Sequence, residues 1–340
     1  MANLRPLLQS YLDSQELPPH GALLSLLEGG ISALEGESGS YRPRDDEGAA
    51  GGLLDFTSGG YAALPLVVVP DLHARGQFLL DILDFHIDGR SVLELLEGGG
   101  VMVCCVGDIF HSEHRARERW MRAFMECQGG NFVSEPMRQE MRENLSLLEM
   151  VLSLKSAFTS HFHILKGNHE NVLNESCRAR YGNVPFRKFC DEGNMVADFL
   201  RHQYDDLILH EIACFEKSLP VCAAFAGCVV SHAEPACLMS RDEIIGYHKD
   251  GSRVSLALTW TANGDAEDGT VANLLAELLP EGAVGRAVYF SGHRPVTGKY
   301  ALRQGGRLIQ IHNPDAEQVA VVRAGRRFDP ESDIVNVGAV

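Results

Sequence analysis

No apolar run in this 340-residue chain approaches the roughly 18 residues that a membrane-spanning helix needs. No membrane partner is therefore expected. The opening residues, MANLRPLLQSYLDSQ, lack a charged segment followed by a long apolar one. No secretory leader is expected, and the cytoplasm is the expected location. Positive charge is also scarce: 30 Lys and Arg stand against 46 Asp and Glu, a net charge of −16. Such a surface repels nucleic-acid backbones, so no nucleic-acid partner is expected. It repels any other anionic ligand too, unless bound cations reverse the sign locally. The nine cysteines include no C-x-x-C pair, and Cys104, Cys105, Cys222 and Cys228 sit in apolar stretches. They read as reduced core thiols, not as a disulfide framework.

Several signatures are missing. GHRPVTGKY (292–300) has five residues between its glycines and a Tyr after Lys299, where a Walker loop has four and a Ser or Thr. No G-x-G-x-x-G follows a strand, which argues against a dinucleotide fold. His169-Glu170 and His210-Glu211 lack the second His of an H-E-x-x-H zinc site, and no G-x-S-x-G is present.

What is present is an alternation of strands and helices. Residues 1–35 have helical periodicity, broken at Pro18-Pro19, and Gly36 to Gly60 is a Gly-, Ser- and charge-rich stretch. Residues 1–60 are expected as a helical N-terminal extension and linker, and 61–340 as the main domain. Leu64–Val69, Val101–Val106 and Phe162–Leu165 read as buried strands; Phe78 to Leu96, Arg115 to Glu126 and Leu145–Leu154 read as helices. After about residue 208 strands become denser, through Val221–Phe225, Cys228–Ser231, Val288–Ser291, Leu308–His312 and Val319–Arg323.

Five of these strands share one grammar: an apolar run ending in polar, metal-capable residues. They are VVVPDLH (Asp71, His73), VMVCCVGD (Asp108), FHILKGNHE (Asn168, His169), CVVSH (His232) and VYFSGH (His293). In open α/β sheets ligands bind beyond the carboxyl ends of strands, where such side chains converge if the strands are parallel. Imidazole and carboxylate together suit Mn, Fe or Zn. A carboxylate can bridge two ions, and Asp108 after Gly107 is the natural bridge. The bland reading of any one of these histidines is a structural strand-end residue; five in order favour a metal site.

The order D-x-H, G-D, G-N-H-E, S-H, G-H resembles the calcineurin-like metallophosphoesterase superfamily, closest to its phosphoprotein phosphatase type, over residues 64 to about 323. The resemblance implies an α/β fold of two packed mixed sheets flanked by helices, and a hydrolase with two divalent metal ions. It implies that Asp71 and His73 bind the first metal and that Asp108 bridges. Asn168 and His232 would bind the second, and His293 would complete the first. His169 would be the general acid, and a metal-bridging hydroxide would attack phosphorus. The substrate would be a phosphorylated protein or a small phosphomonoester. Alternatives are a nucleotide pyrophosphohydrolase or nucleotidase, or a non-catalytic metal-binding interaction module.

One departure stands out. Those phosphatases carry G-D-x-x-D-R-G, whereas this chain reads GDIFHSEHR, with His111 and Ser112 in place of the Asp and Arg. Segment 111–141 is expected as an insertion, and Arg115, then Arg142, as replacements for the Arg that grips phosphate. Glu170 is expected to support the site from behind it.

Overall fold

A computed structural model describes residues 4–173, 186–249 and 253–338. In chain order the elements begin with helices α1 (Leu4–Asp13) and α2 (His20–Glu35), strand β1 (Leu53–Phe56), strand β2 (Leu66–Val69) and α3 (Gly76–Asp84). A two-stranded hairpin, β3 (His86–Ile87) and β4 (Arg90–Ser91), leads to α4 (Val92–Glu97), β5 (Met102–Cys105), α5 (Arg117–Gln128), α6 (Glu135–Ala157) and β6 (Phe162–Ile164). Then follow α7 (Glu192–Gln203), α8 (Asp206–Ser218), β7 (Cys222–Phe225), β8 (Cys228–Ser231), β9 (Val288–Ser291), β10 (Ala301–Arg303), β11 (Leu308–Gln310), β12 (Gln318–Val322) and β13 (Ile334–Asn336), with short helices between β8 and β9.

Two mixed sheets face each other. One runs β13-β12-β2-β5-β6 and the other β1-β7-β8-β9-β11-β10. Alternation of side chains along each strand explains why the strands are continuously apolar. Val68, Cys104 and Val106 point to the layer between the sheets, where they meet Phe56, Phe225, Val230, Phe290 and Ile309. Val67, Val69, Val103 and Cys105 point the other way, onto Leu79, Leu148, Val151 and Phe215 of the helices. Leu53, Cys222, Val229 and Tyr289 likewise pack on the helical segments Arg253–Thr259 and Thr270–Leu278. Both sheets are thus buried on two faces, and the architecture is helix, sheet, sheet, helix.

The direction of the strands matters for function. β2, β5 and β6 are mutually parallel, and so are β8, β9 and β11. The segments after Val69, Cys105, Ile164, Ser231, Ser291 and Gln310 therefore leave the two sheets at ends that meet along one edge of the sandwich.

Two elements differ from the sequence reading. Phe78 to Leu96 is not one helix, because Asp88 (φ 52°) and Gly89 (φ 86°) turn the chain into a hairpin. An Asp-Gly pair is a strong signal for that turn, and apolar periodicity hid it. Within 36–60, Leu53–Phe56 forms an edge strand parallel to β7. Residues 1–60 also place α2 against α6 and α8. They are locked there by Glu37, fully buried, which accepts hydrogen bonds from Arg42 (2.6 Å) and Lys155 (2.5 Å). The expected insertion 111–141 is a 3-10 turn, α5 and the start of a long α6, anchored by buried Trp120 and Ala123.

Candidate metal centre

Each signature glycine makes room for an acid or amide. A Cβ on Gly292 would lie 1.8 Å from Asp71 Oδ1, and one on Gly167 would lie 2.2 Å from Asp108 Oδ1. Gly107, at φ 115°, lets the β5 loop pass within van der Waals distance of the Gly167 backbone. The loops are then stitched together by backbone bonds. The amides of Leu72, His73 and Ala74 donate to the carbonyls of Gly107, Asp108 and Ile109. Glu170 closes the third side: its carboxylate accepts the amides of Asp108 (2.9 Å), Ile109 (2.7 Å) and Gly167 (2.6 Å). This is the supporting role expected of it.

Among the described residues eight non-glycine residues have positive φ, and five of them, His73, Asp108, His111, Glu113 and His293, lie in this cluster. Left-handed backbone at non-glycine positions is uncommon and persists where surrounding structure over-determines it, often at functional sites.

The side chains converge on Asp108. Its Oδ2 has His73 Nε2 at 3.5 Å, His232 Nε2 at 3.5 Å and His169 Nε2 at 3.9 Å. Among the described residues three groups could hold a metal ion, each with ligand atoms within 4.8 Å of one another: Asp71, His73 and His312; His73, Asp108 and His169; Asp71, Asp108 and His232. All are buried. Asn168 belongs to the same cluster. Its Oδ1 is 2.9 Å from His232 Nε2 and 2.8 Å from His293 Nδ1.

The ring protons can be assigned from the carbonyls they face. His73 Nδ1 lies 3.2 Å from Phe110 O and His232 Nδ1 lies 3.0 Å from Val106 O, so these nitrogens donate. Burial holds both rings neutral by pushing their pKa values down. Their Nε2 lone pairs therefore face oxygen acceptors: Asp108 and Glu113 (3.5 Å) for His73, Asp108 and Asn168 for His232. Burial, followed by the neighbouring charges of Glu170 and Asp71, pushes the Asp108 carboxyl well above its usual range. Among the described residues His293 Nε2 is buried without a hydrogen-bond partner. Lone pairs facing lone pairs around crowded acids is an arrangement that cations relieve. The N and O donors suit first-row divalent ions. The residues present fit such ions.

Not every expected residue takes its expected place. The His293 ring lies against His232, with centroids 5.2 Å apart, and against Asn168, although its backbone N–H donates to Asp71 (2.9 Å). The position beside Asp71 and His73 is taken by His312, whose Nδ1 is 3.6 Å from Asp71 Oδ2. Its signal was visible: LIQIH is another apolar strand ending in His. Arg115 does not enter the cluster. Its guanidinium donates to the carbonyls of His73 (2.8 Å) and Ala74 (3.1 Å) and pairs with Glu143. Arg142 projects from α6 and donates to Gln15 (2.6 Å), beside Glu16 and Arg138.

Three further residues crowd the site. Glu113, 2% exposed, places Oε1 3.5 Å from His73 Nε2, 3.3 Å from His312 Nε2 and 2.5 Å from Lys188 Nζ. Burial opposes its ionisation, but His73, His312 and Lys188 together hold it well below the usual carboxylate range. His111 stacks on Trp120 at 4.9 Å, and its Nδ1 accepts the Glu113 amide (3.0 Å). Its proton is therefore on Nε2, which faces Glu192 at 3.6 Å. The His111 ring centroid is 5.3 Å from that of His169.

A protein serine/threonine phosphatase from Saccharomyces cerevisiae superimposes with a TM-score of 0.53 at 15% identity, over 95% of this chain and 91% of that one. The chain shares the fold of that structure, two packed mixed sheets flanked by helices. A protein-tyrosine phosphatase of a psychrophilic Shewanella species also aligns, at 14% identity and a TM-score of 0.41 over 77% of this chain and 76% of its own. No protein-family model matches the sequence. No curated protein sequence matches it either. Among the described residues no helix is long and apolar enough to cross a membrane.

Proposed function

We propose that the protein is a phosphoesterase whose centre would hold two divalent metal ions, with Asp71, His73, Asp108, Asn168, His232, His293 and His312 as the residues that would hold them. The observation that carries this reading is the position of Asp108 Oδ2, with three imidazole nitrogens at 3.5, 3.5 and 3.9 Å. Asp71, His73 and His312 form one candidate ligand group, and Asn168 Oδ1 lies between His232 Nε2 (2.9 Å) and His293 Nδ1 (2.8 Å). His312 takes the first-metal place assigned by resemblance to His293, and His293 joins the second set. When bound, two such ions lower the pKa of water, neutralise phosphoryl oxygens and orient an in-line displacement.

The chain's own residues supply the rest. His169 is held by its amide, which donates to Asp108 Oδ1 at 3.0 Å, and by Phe186, whose ring lies 4.3 Å from its own. Among the described residues its Nδ1 is buried without a partner. Burial, with His73 and His111 adding to it, depresses its pKa, so it rests neutral. A phosphoryl dianion arriving beside it raises that value again, so that the ring takes up a proton from solvent and can deliver it to the leaving oxygen. Phosphomonoesters, phosphoserine and phosphothreonine proteins first, are the substrate class this reading favours.

The test is p-nitrophenyl phosphate hydrolysis with Mn²⁺, after chelation, and by Asp108→Asn. Turnover that requires metal and vanishes in the variant supports the reading. Bound metal with no turnover on phosphomonoesters, phosphopeptides or nucleotides would replace it with a metal-binding interaction module.

A further inference from the structure

Resting on that reading, a second question is which side chain meets the substrate's phosphoryl oxygens. The two arginines first considered are committed elsewhere, Arg115 to backbone carbonyls and Glu143, Arg142 to Gln15. Arg119 is also spent: it binds Glu140 and Glu143 and donates to Ser112. Ser112 itself occupies the place of the resembling family's Arg, and its hydroxyl donates to Glu140 at 2.7 Å.

One cation does reach the centre. The Lys188 ammonium lies 2.5 Å from Glu113 Oε1, and that same oxygen lies 3.5 Å from His73 Nε2 and 3.3 Å from His312 Nε2. One carboxylate oxygen therefore separates Lys188 from two candidate metal ligands. The Lys188 side chain is 35% exposed while Glu113 is 3% exposed, so the ammonium faces outward from a buried acid. An ammonium has three N–H donors. Among the described residues Glu113 is its one hydrogen-bond partner, and two donors remain for a ligand. The backbone that carries it is fixed. Glu192, fully buried, accepts the amides of Lys188 (3.1 Å) and Phe189 (2.6 Å). Two residues earlier, Phe186 packs on His169. One short segment thus walls the general acid and aims a cation over the centre.

We propose that Lys188 is the phosphoryl-binding cation of this site, held ready by Glu113. Glu113 keeps the ammonium in place while taking one of its three donors, and the ammonium offsets a carboxylate that would otherwise repel a phosphate dianion. This solves an electrostatic problem specific to the chain. With a net charge of −16 and Asp71, Asp108, Glu113 and Glu170 gathered at the centre, an anionic substrate needs a cation beyond the metals. The pairing is invisible in sequence, since Glu113 and Lys188 are 75 residues apart.

The experiment uses the metal-loaded full chain and inorganic phosphate as the probe. Phosphate affinity is read by calorimetry and metal content by elemental analysis, with p-nitrophenyl phosphate kinetics alongside. In Lys188→Ala, phosphate binding should weaken about ten- to a hundredfold, the loss expected for one charged hydrogen bond. Metal content should not change, and KM should rise. Lys188→Arg should restore most of the affinity. Equal phosphate affinity in Lys188→Ala and wild type overturns the proposal. Loss of metal together with phosphate also overturns it, because Lys188 would then be only a structural partner of Glu113. Metal-loaded wild type that binds no phosphate overturns the phosphoesterase reading itself, and this contact with it.

Discussion

Glu170 Oε2 accepts the amide of Asp108 at 2.9 Å and that of Gly167 at 2.6 Å, so one buried carboxylate fixes two ligand-bearing loops at once. Its Oε1 takes the Ile109 amide. The three donors all point at acceptors, and an amide in their place would turn an NH₂ group toward N–H groups. Glu170→Gln should therefore lower metal affinity about 10- to 100-fold, as loss of supporting partners does elsewhere. It should also destabilise the fold by roughly 1–3 kcal/mol. Metal titration and urea denaturation would measure both. Unchanged metal affinity would mean that the loops hold their shape without this carboxylate.

Gly292 offers a steric test. A methyl there would sit 1.8 Å from Asp71 Oδ1, far inside van der Waals contact, and the strand end cannot move without dragging His293. Gly292→Ala should abolish metal binding and lower stability by about 2 kcal/mol or more. Gly285→Ala is the control, because nothing lies within 4 Å of its added methyl. Thermal melts of the two proteins should separate clearly. Similar melting temperatures would show that the loop after β9 relaxes freely.

Divalent metal should stabilise the protein independently of any turnover. Asp108 is buried beside Asp71 and Glu170, which burial and charge alone disfavour, and a cation relieves both. Mass action at a hundredfold excess of metal over its Kd gives about 2.7 kcal/mol. Calorimetry should show a higher Tm with Mn²⁺ or Zn²⁺, reversed by chelator, and no shift in Asp108→Asn. An identical shift in the variant would place the ions elsewhere.

The site was legible in sequence where ligand and strand share a short contiguous segment. Asp71, His73, Asp108, Asn168, His169, His232 and His293 each end an apolar run, and parallel strands bring them to one edge. His312 follows the same rule, ending the apolar run LIQIH, but has no part in the five-segment pattern read from the sequence. Glu113 and Lys188 meet only through tertiary structure, and Glu113 sits in left-handed backbone that no local pattern announces. Arg115 was near enough in sequence, but the carbonyls of His73 and Ala74 claim its guanidinium. For the fold, buried strands were legible from β-branched runs. The edge strand Leu53–Phe56 was hidden by its brevity amid Gly-rich chain, and the β3–β4 hairpin by flanking apolar periodicity.

Glu149 on α6 gives a pH prediction away from the site. It is 7% exposed, and burial raises its pKa to about 7. Below the ordinary value near 4.5 both folded and unfolded forms are protonated and no cost arises. Between there and about 7 the unfolded chain releases its proton while the folded one keeps it, so stability falls as pH rises. Above that the full cost is present. Glu149→Gln should stabilise the protein at pH 8 by roughly 1–3 kcal/mol and by much less at pH 5. Denaturation at the two pH values reads the difference, and an equal effect at both would show that the carboxylate is not the titrating group.

The role proposed for His169 can be separated from simple positioning by the leaving group. p-Nitrophenolate departs without needing a proton, whereas a serine alkoxide needs one. If His169 donates that proton, His169→Ala should reduce kcat for a phosphoserine peptide by about 10²–10⁴. The loss on p-nitrophenyl phosphate should be much smaller. Phe186 lies 4.3 Å from the His169 ring and Asp108 anchors its amide, so the variant should keep both loops and their metal. The same proportional loss on both substrates, with metal retained, would make His169 an electrostatic or binding residue and leave the protonation of the leaving oxygen to another group, for which His111, its ring centroid 5.3 Å away, is the nearest candidate.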